Sequence, residues 1–290
     1  MKPEVRRAYG ALILGVFFFS FSSILIRFSD APAPAIAAYR MLLASLIIAP
    51  FALAFSGKEI VGLKRNDVLF LAATGIVLAF HFLFFVSAVK TTSVASATIL
   101  INAHPIIVAV LAFVALHEGS RYTTVGAILG VLGITVISIS DMGGSNFYGD
   151  MLAIAGAGME AVYIIMTRTM RKRISILAFI LVVNSICALT LIGLCVVGGV
   201  PLWPYSNNEL LVFFAMALVP AVLGYTLYNY SMRWIIAPRV SVIQLFEALG
   251  ASILAAILFA EYPSALIFLG GALVLIGIYL AVKNSNAQRG

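Results

Sequence analysis

The stretch AYGALILGVFFFSFSSILI, residues 8–26, runs without a single formal charge. Coiled as an α-helix at 1.5 Å per residue it reaches roughly 28 Å, about the thickness of a bilayer's hydrocarbon core. The basic residues Lys2, Arg6 and Arg7 before it invite comparison with a secretory leader. The apolar run is too long for a leader core and has no small-x-small cleavage pattern, so it is expected to remain as a first membrane span.

The same pattern recurs along the chain. Ten segments are apolar enough to cross: 8–28, 33–55, 67–89, 94–116, 122–141, 149–169, 175–198, 209–231, 238–260 and 263–282. Short loops hold turn formers such as Pro32, Pro34, Gly143, Gly144, Pro201 and Pro204. The 290 residues are 63% hydrophobic and 10% charged, against roughly 25% charged in an average soluble domain. That leaves too little polar surface to cover a water-soluble fold, and excludes a soluble enzyme or a nucleic-acid binder. The reading is an all-α integral membrane protein.

The net charge of +7 sits in clusters between spans. With the amino terminus inside, the inner loops and ends collect Lys58, Lys64, Arg65, Arg121, Arg168, Arg171, Lys172, Arg173, Arg233, Arg239 and Lys283, while the outer ones keep Arg27 and Lys90. The bias of basic loops toward the cytoplasm then predicts both termini inside a bacterial cytoplasmic membrane.

Sliding the chain along itself by 143 residues lays 81–118 over 224–261 without a gap, and aligns Lys90 with Arg233, Ala112 with Ala255 and Glu118 with Glu261. Each stretch is two spans with a short link and is followed by a glycine-rich span (Gly126, Gly130, Gly133; Gly270, Gly271, Gly277). A unit of five spans crosses an odd number of times, so its copy enters from the opposite face. The expectation is two inverted five-helix repeats, residues 1–142 and 143–290, around a central cavity, which is the plan of alternating-access transporters.

Ionisable or strongly polar groups in mid-membrane should face protein or a wet cavity. Glu160 shares a face of span 6 with Gly156, Tyr163 and Thr167. Glu247 lies halfway along span 9, and the offset pairs it with His104 in span 4, so the two are expected to flank the midplane and to contact substrate or carry a proton. Asn102 points about 200° away from His104, so one of the two should line the cavity and the other should pack. Pro105 lacks the N–H that the carbonyl of residue 101 would accept, and a bend is expected there. Arg40, about 10 Å inside span 2, could attract a carboxylate or snorkel outward. His81 and Asn184 read as lone polar residues with packing roles as the alternative, and Gln244 shares the face of Glu247. Tyr225, Tyr228, Asn229 and Tyr230 suit an amphipathic or aromatic substrate, or an interfacial aromatic belt. Glu118 and Glu261 read as boundary residues. Gly126 and Gly130, spaced by four, could pack a neighbouring span or form a dimer contact.

Tyr39-Arg40-Met41-Leu42-Leu43-Ala44, the run from Pro105 to Glu118, and Phe246-Glu247-Ala248 leading to Glu261 resemble the patterns of the drug/metabolite transporter superfamily, in its EamA-type ten-helix branch. The resemblance covers essentially the whole chain and implies export of small metabolites, commonly amino acids as in its YddG-like members, by a helical bundle with a central cavity. One departure is Ala248 where that branch often has Pro, which predicts a straighter span 9.

Other chemistries fit poorly. Cys187 and Cys195 lie about 12 Å apart along one helix, too far for a disulfide. The three histidines have no metal-ligand spacing, and no cofactor motif or nucleotide-binding loop occurs. No Gly-x-Ser-x-Gly, His-Glu-x-x-His or paired aspartate spans support an intramembrane lipid-modifying enzyme or protease, and no repeated charged ring supports a channel. The sequence therefore reads as a secondary transporter exporting small polar metabolites, most plausibly amino acids, with drug or nucleoside efflux as the alternative. Its expected partners are the substrate and membrane lipid, and it would act as a monomer or a homodimer.

Overall fold

A computed structural model of the chain describes residues 2–92, 97, 100–139, 146–259 and 265–283, and these form helices joined by turns with no strand among them. Span 1 is α1 (Pro3–Phe19) and α2 (Phe21–Arg27), span 2 is α3 (Ala33–Val61) and span 3 is α4 (Arg65–Thr91). Spans 4 to 7 are α5 (His104–Leu116), α6 (Arg121–Ile139), α7 (Phe147–Arg171) and α8 (Ile176–Val197). Span 8 runs from α9 (Asn207–Met216) through a π-helical stretch (Ala217–Gly224) into α10 (Tyr225–Ser231). Span 9 is α11 (Ala237–Gln244) and α12 (Phe246–Phe259), and span 10 is α13 (Ala265–Lys283). Six of the described spans, 1, 2, 3, 6, 7 and 8, are long and apolar enough to cross a membrane by length and composition. Glu261 and the boundary between residues 142 and 143 lie outside the described residues.

Local chemistry sets the ends. Pro stands in the first turn of α1, α3 and α11, where its missing N–H costs nothing, and in that of α5, where the preceding helical turn is left one donor short. Side chains of Asn146, Ser175 and Ser206 accept the N–H groups of Tyr148, Ala178 and Glu209 to cap α7, α8 and α9. Several spans outrun their apolar cores: α3 continues through Lys58 to Val61, because polar residues leave the bilayer without breaking a helix.

Spans 1, 2, 3 and 5 pack chiefly on spans 8, 7, 6 and 10, while the described part of span 4 packs most on span 6 and next on span 9. Exchange every span with the one five places along and the pairs 1–8, 2–7, 3–6 and 5–10 map onto themselves.

Four helix breaks accompany this arrangement. Span 1 breaks at Ser20, span 4 at Asn102 and Ala103 just before His104-Pro105, and span 9 at Leu245, while span 8 widens to a π-helix around Pro220. Asn102 and Leu245 are 143 positions apart, the offset of the sequence repeat. Span 9 is therefore not straight despite Ala248. The tightened bonds Leu245 N–H to Val242 O and Ala248 N–H to Leu245 O make the break, and the Ser20 hydroxyl donates to the carbonyl of Glu247 at 3.2 Å. A backbone kink needs its freed groups satisfied, and a neighbouring serine does this as well as a proline requires it.

Spans 5 and 10 meet through glycines. A Cβ on Gly277 would lie 2.6 Å from the carbonyl oxygen of Gly126 and 3.0 Å from the nitrogen of Gly130, and one on Gly133 would lie 2.6 Å from the carbonyl of Gly270. The glycine face of span 5 is thus filled inside the chain, not held ready for a second copy. Gly277→Leu should lower the thermal unfolding temperature in detergent, by overpacking against backbone that costs on the order of 1–3 kcal/mol or more. Gly193→Ala, where a Cβ meets nothing within 4 Å, should leave it unchanged or raise it; equal losses in the two variants would show the contact to be loose.

Candidate functional site

The predicted stripe of α7 faces inward: Gly156, Glu160, Tyr163 and Thr167 are all buried, Glu160 with 1% exposure. Gly156 lets α4 come close, since a Cβ there would already touch the Phe85 nitrogen at 3.5 Å. His81 on α4 uses the approach: its Nδ1–H donates to the Gly156 carbonyl at 3.1 Å, and its Nε2 stands 3.4 Å from Oε2 of Glu160. The two side chains thus stand within ion-pair distance across spans 3 and 6.

The other carboxyl oxygen is engaged by span 9. Gln244 Nε2 donates to Glu160 Oε1 at 3.2 Å, and Gln244 Oε1 accepts the Tyr228 hydroxyl at 2.6 Å. Tyr163 donates to Oδ1 of Asn229 at 2.9 Å. Tyr225, Tyr228 and Asn229 are buried in the bundle, so they form the wall of this cluster rather than an interfacial belt.

His104 enters from span 4 because of its neighbour. Pro105 cannot donate to the Ile101 carbonyl, and His104 Nδ1 does so instead at 3.2 Å. The ring is 2% exposed residue surface, in the field of Glu160, His81 and Gln244, and its Nε2 has no hydrogen-bond partner among the described residues. Asn102 is partly exposed in the turn, so His104 is the inward member of the two.

Arg40 does not snorkel. It is 3% exposed, donates from Nη1 to Ser22 at 2.8 Å, and lies with its Cζ 4.6 Å from the Phe82 ring centre and 5.9 Å from that of Tyr225. Its Nε is unpartnered, as is Nδ2 of buried Asn184 one turn before Cys187, which also faces the guanidinium. Glu247, just past the span 9 break, is half-buried and within electrostatic reach of Arg40 and Glu160. His81 is accordingly not a lone polar residue. The free cysteines Cys187 and Cys195 are both buried.

The structure thus gathers His81, Glu160, Tyr163, Gln244 and His104 with Tyr225, Asn229, Arg40 and Glu247. It adds Ser22, Phe82 and Tyr228, for which the sequence offered little signal: serines in apolar helices usually bond their own backbone, and Phe82 is one of 20 phenylalanines. The expected water-filled chamber is not open; among the described residues the polar groups close on one another.

Among the described residues, side chains tie spans together at both ends of the bundle. At the end rich in basic residues, Glu118 takes Arg168 Nε at 3.0 and 3.1 Å, Lys172 Nζ at 3.2 Å and the Ala237 N–H at 3.3 Å, while Arg168 Nη1 donates to the carbonyls of Met232 and Arg233 at 2.6 and 2.9 Å. One carboxylate so joins spans 4, 6, 8 and 9 and satisfies groups left bare at helix ends. At the other end, Glu209 accepts the Ser29 hydroxyl and the Asp30 N–H, both at 2.6 Å, and Lys90 donates to the Ala31 carbonyl.

Burial opposes the charge on Glu118, but Arg168 and Lys172 outweigh it and hold the carboxyl below its ordinary 4.5. A group with a lowered folded-state value stabilises the protein above the unfolded value and loses that effect as pH falls through the lowered one. Glu118→Gln should therefore unfold at a lower temperature than the native protein at neutral pH, and the gap should close well below pH 4.5. A gap that persists unchanged in acid would mean the ion pairs do not hold this end.

A model of the EamA-like transporter family matches residues 6–139 and 147–283. Two Archaeoglobus fulgidus proteins, each known only as an uncharacterized transporter, are similar: one is 21% identical over 285 residues, covering 96% of this chain and 97% of its own, and the other is 26% identical over 264 residues, covering 86% and 88%. A solved structure described only as a crystal structure of a protein superposes with a TM-score of 0.82 at 18% identity, over 98% of this chain and 99% of that one, and shares the fold.

Proposed function

The chain belongs to the EamA-like transporter family and is a multi-pass membrane transporter, and from that premise we propose that it exports amino acids by alternating access. One observation carries the substrate class: among the buried atoms without hydrogen-bond partners, which also include Asn184 Nδ2 and the Thr167 and Thr226 hydroxyls, His104 Nε2 and Glu160 Oε2, the latter 3.4 Å from His81 Nε2, form an acceptor pole and Arg40 Nε a donor pole. The Phe82 ring stands between, 4.6 Å from Arg40 Cζ and 5.2 Å from the His81 ring. A buried guanidinium with no carboxylate at ion-pair distance among the described residues costs several kcal/mol. A zwitterion satisfies both poles at once, its carboxylate at Arg40 and its ammonium at Glu160, with its side chain against Phe82 and Tyr225.

The mechanism rests on the exchange-invariant packing of four span pairs, the two family matches and the paired breaks at Asn102 and Leu245. These support two inverted repeats, residues 1–142 and 143–290, rocking about the polar cluster. The basic end, gripped by Glu118, is the cytoplasmic gate of a bacterial inner-membrane protein with both termini inside. The Glu209 end is the outer gate.

Proteoliposomes should show saturable counterflow of amino acids. Arg40→Gln should lower uptake at subsaturating substrate about tenfold to a hundredfold, the worth of a lost charged hydrogen bond in a dry site. Vesicles holding folded protein that stay inert across a broad amino-acid panel would reject the substrate class. Assays with and without a pH gradient would report whether a proton moves during the cycle.

A further inference from the structure

We propose that His104 is a specificity-determining residue that selects substrates by an N–H donor on their cationic group, and this rests on the amino-acid reading above. The assignment begins in the backbone. Pro105 leaves the Ile101 carbonyl without its helical donor inside the membrane, and among the described residues His104 Nδ1 answers it at 3.2 Å. A carbonyl can only accept, so Nδ1 carries the hydrogen, and in the neutral ring Nε2 presents a bare lone pair. That atom is buried and unpartnered, and it stands among groups that cannot all donate to it. From span 3 it faces His81, whose Nδ1–H is spent on Gly156; from span 6, Glu160; and from span 9, the Gln244 amide, one of whose hydrogens serves Glu160 Oε1 while the other makes no hydrogen bond of accepted geometry to this nitrogen. The tyrosine hydroxyls nearest the cluster are also spent, Tyr163 on Asn229 and Tyr228 on Gln244.

The backbone break therefore holds a hydrogen-bond acceptor in one orientation beside the Glu160 carboxyl, whose Oε2 stands 3.4 Å from His81 Nε2 and makes no hydrogen bond among the described residues. A group that fills both needs positive charge and at least one N–H. A primary, secondary or tertiary ammonium qualifies. A quaternary ammonium has the charge without the hydrogen, so Glu160 alone would admit it and His104 rejects it. An acceptor left bare in a water-free site is what makes such a choice sharp.

The test uses phenylalanine and its N-methyl, N,N-dimethyl and N,N,N-trimethyl derivatives as competitors for phenylalanine counterflow by the full-length protein in liposomes. All four are zwitterions, and only the last has no N–H. The expected result for the native protein is a modest decline over the first two methyl groups and a drop of about tenfold to a hundredfold at the third. In His104→Phe, which keeps a ring and removes the acceptor, the drop at the third methyl should shrink into the gradual trend. His104→Gln, which returns an acceptor near the Nε2 position, should restore part of it. Pro105→Ala gives the Ile101 carbonyl its backbone donor back and frees the imidazole to turn; it should weaken the discrimination while leaving His104 in place, which guards against His104→Phe failing to fold. A native protein that declines evenly across all four, or a His104→Phe protein that transports with the full drop at the third methyl, overturns the proposal while leaving amino-acid export intact. A native protein that moves no phenylalanine but does move another amino acid is tested with that acid's methyl series. Inertness to every amino acid removes the parent reading and this one together.

Discussion

Inside hydrocarbon a polar group must find its partner within the protein, and this constraint organises the molecule from its helix ends to its centre. It explains why Ser20 answers the Glu247 carbonyl where two broken helices meet, why His104 answers the carbonyl orphaned by Pro105, and why one glutamate, Glu118, gathers the ends of four spans. In each case a defect in one helix is repaired by a side chain, and the repair fixes where that side chain sits. The polar cluster is thus positioned by backbone breaks as much as by the packing of apolar surfaces.

The feature that distinguishes the centre from these repairs is that its bonding is incomplete. At the basic end the described groups of Glu118 and Arg168 are saturated, and at the other end both oxygens of Glu209 are used. In the middle, Arg40, His104, Glu160 and Asn184 each retain an atom without a partner. Leaving such atoms bare carries a cost of about 1–3 kcal/mol each, which a structural core would not tolerate without return.

Much of this was legible in the residue string. Span number, the inward stripe around Glu160 and the bend at Pro105 follow from hydropathy, helical spacing and a missing N–H, all local properties. The fate of Arg40 was not, because a guanidinium seven residues into a helix reaches either the interface or the core, and the choice is made by Phe82 on another span. His81 likewise reads as solitary until Gly156, 75 positions later, brings α7 against α4. The break in span 9 was hidden for the same reason: its support is the Ser20 hydroxyl on span 1, and no pattern near Ala248 announces it. Local chemistry is written locally, whereas satisfaction across helices is not.

The two tied ends also differ in kind, and the difference bears on how the bundle can open. At the basic end charge meets charge, and the same side chains hold backbone carbonyls at the foot of span 8 and an amide at the head of span 9. Parting that end exposes ions and backbone dipoles together, so it can proceed only as water enters to replace every lost bond. At the opposite end Glu209 grips a hydroxyl and a single N–H on the loop between spans 1 and 2, and Lys90 grips carbonyls of the same loop. Here one short loop carries these bonds, and its release frees few groups. The two halves share a packing plan, yet the chemistry at their ends is unequal, so exchange symmetry of the spans does not make the two faces energetically alike.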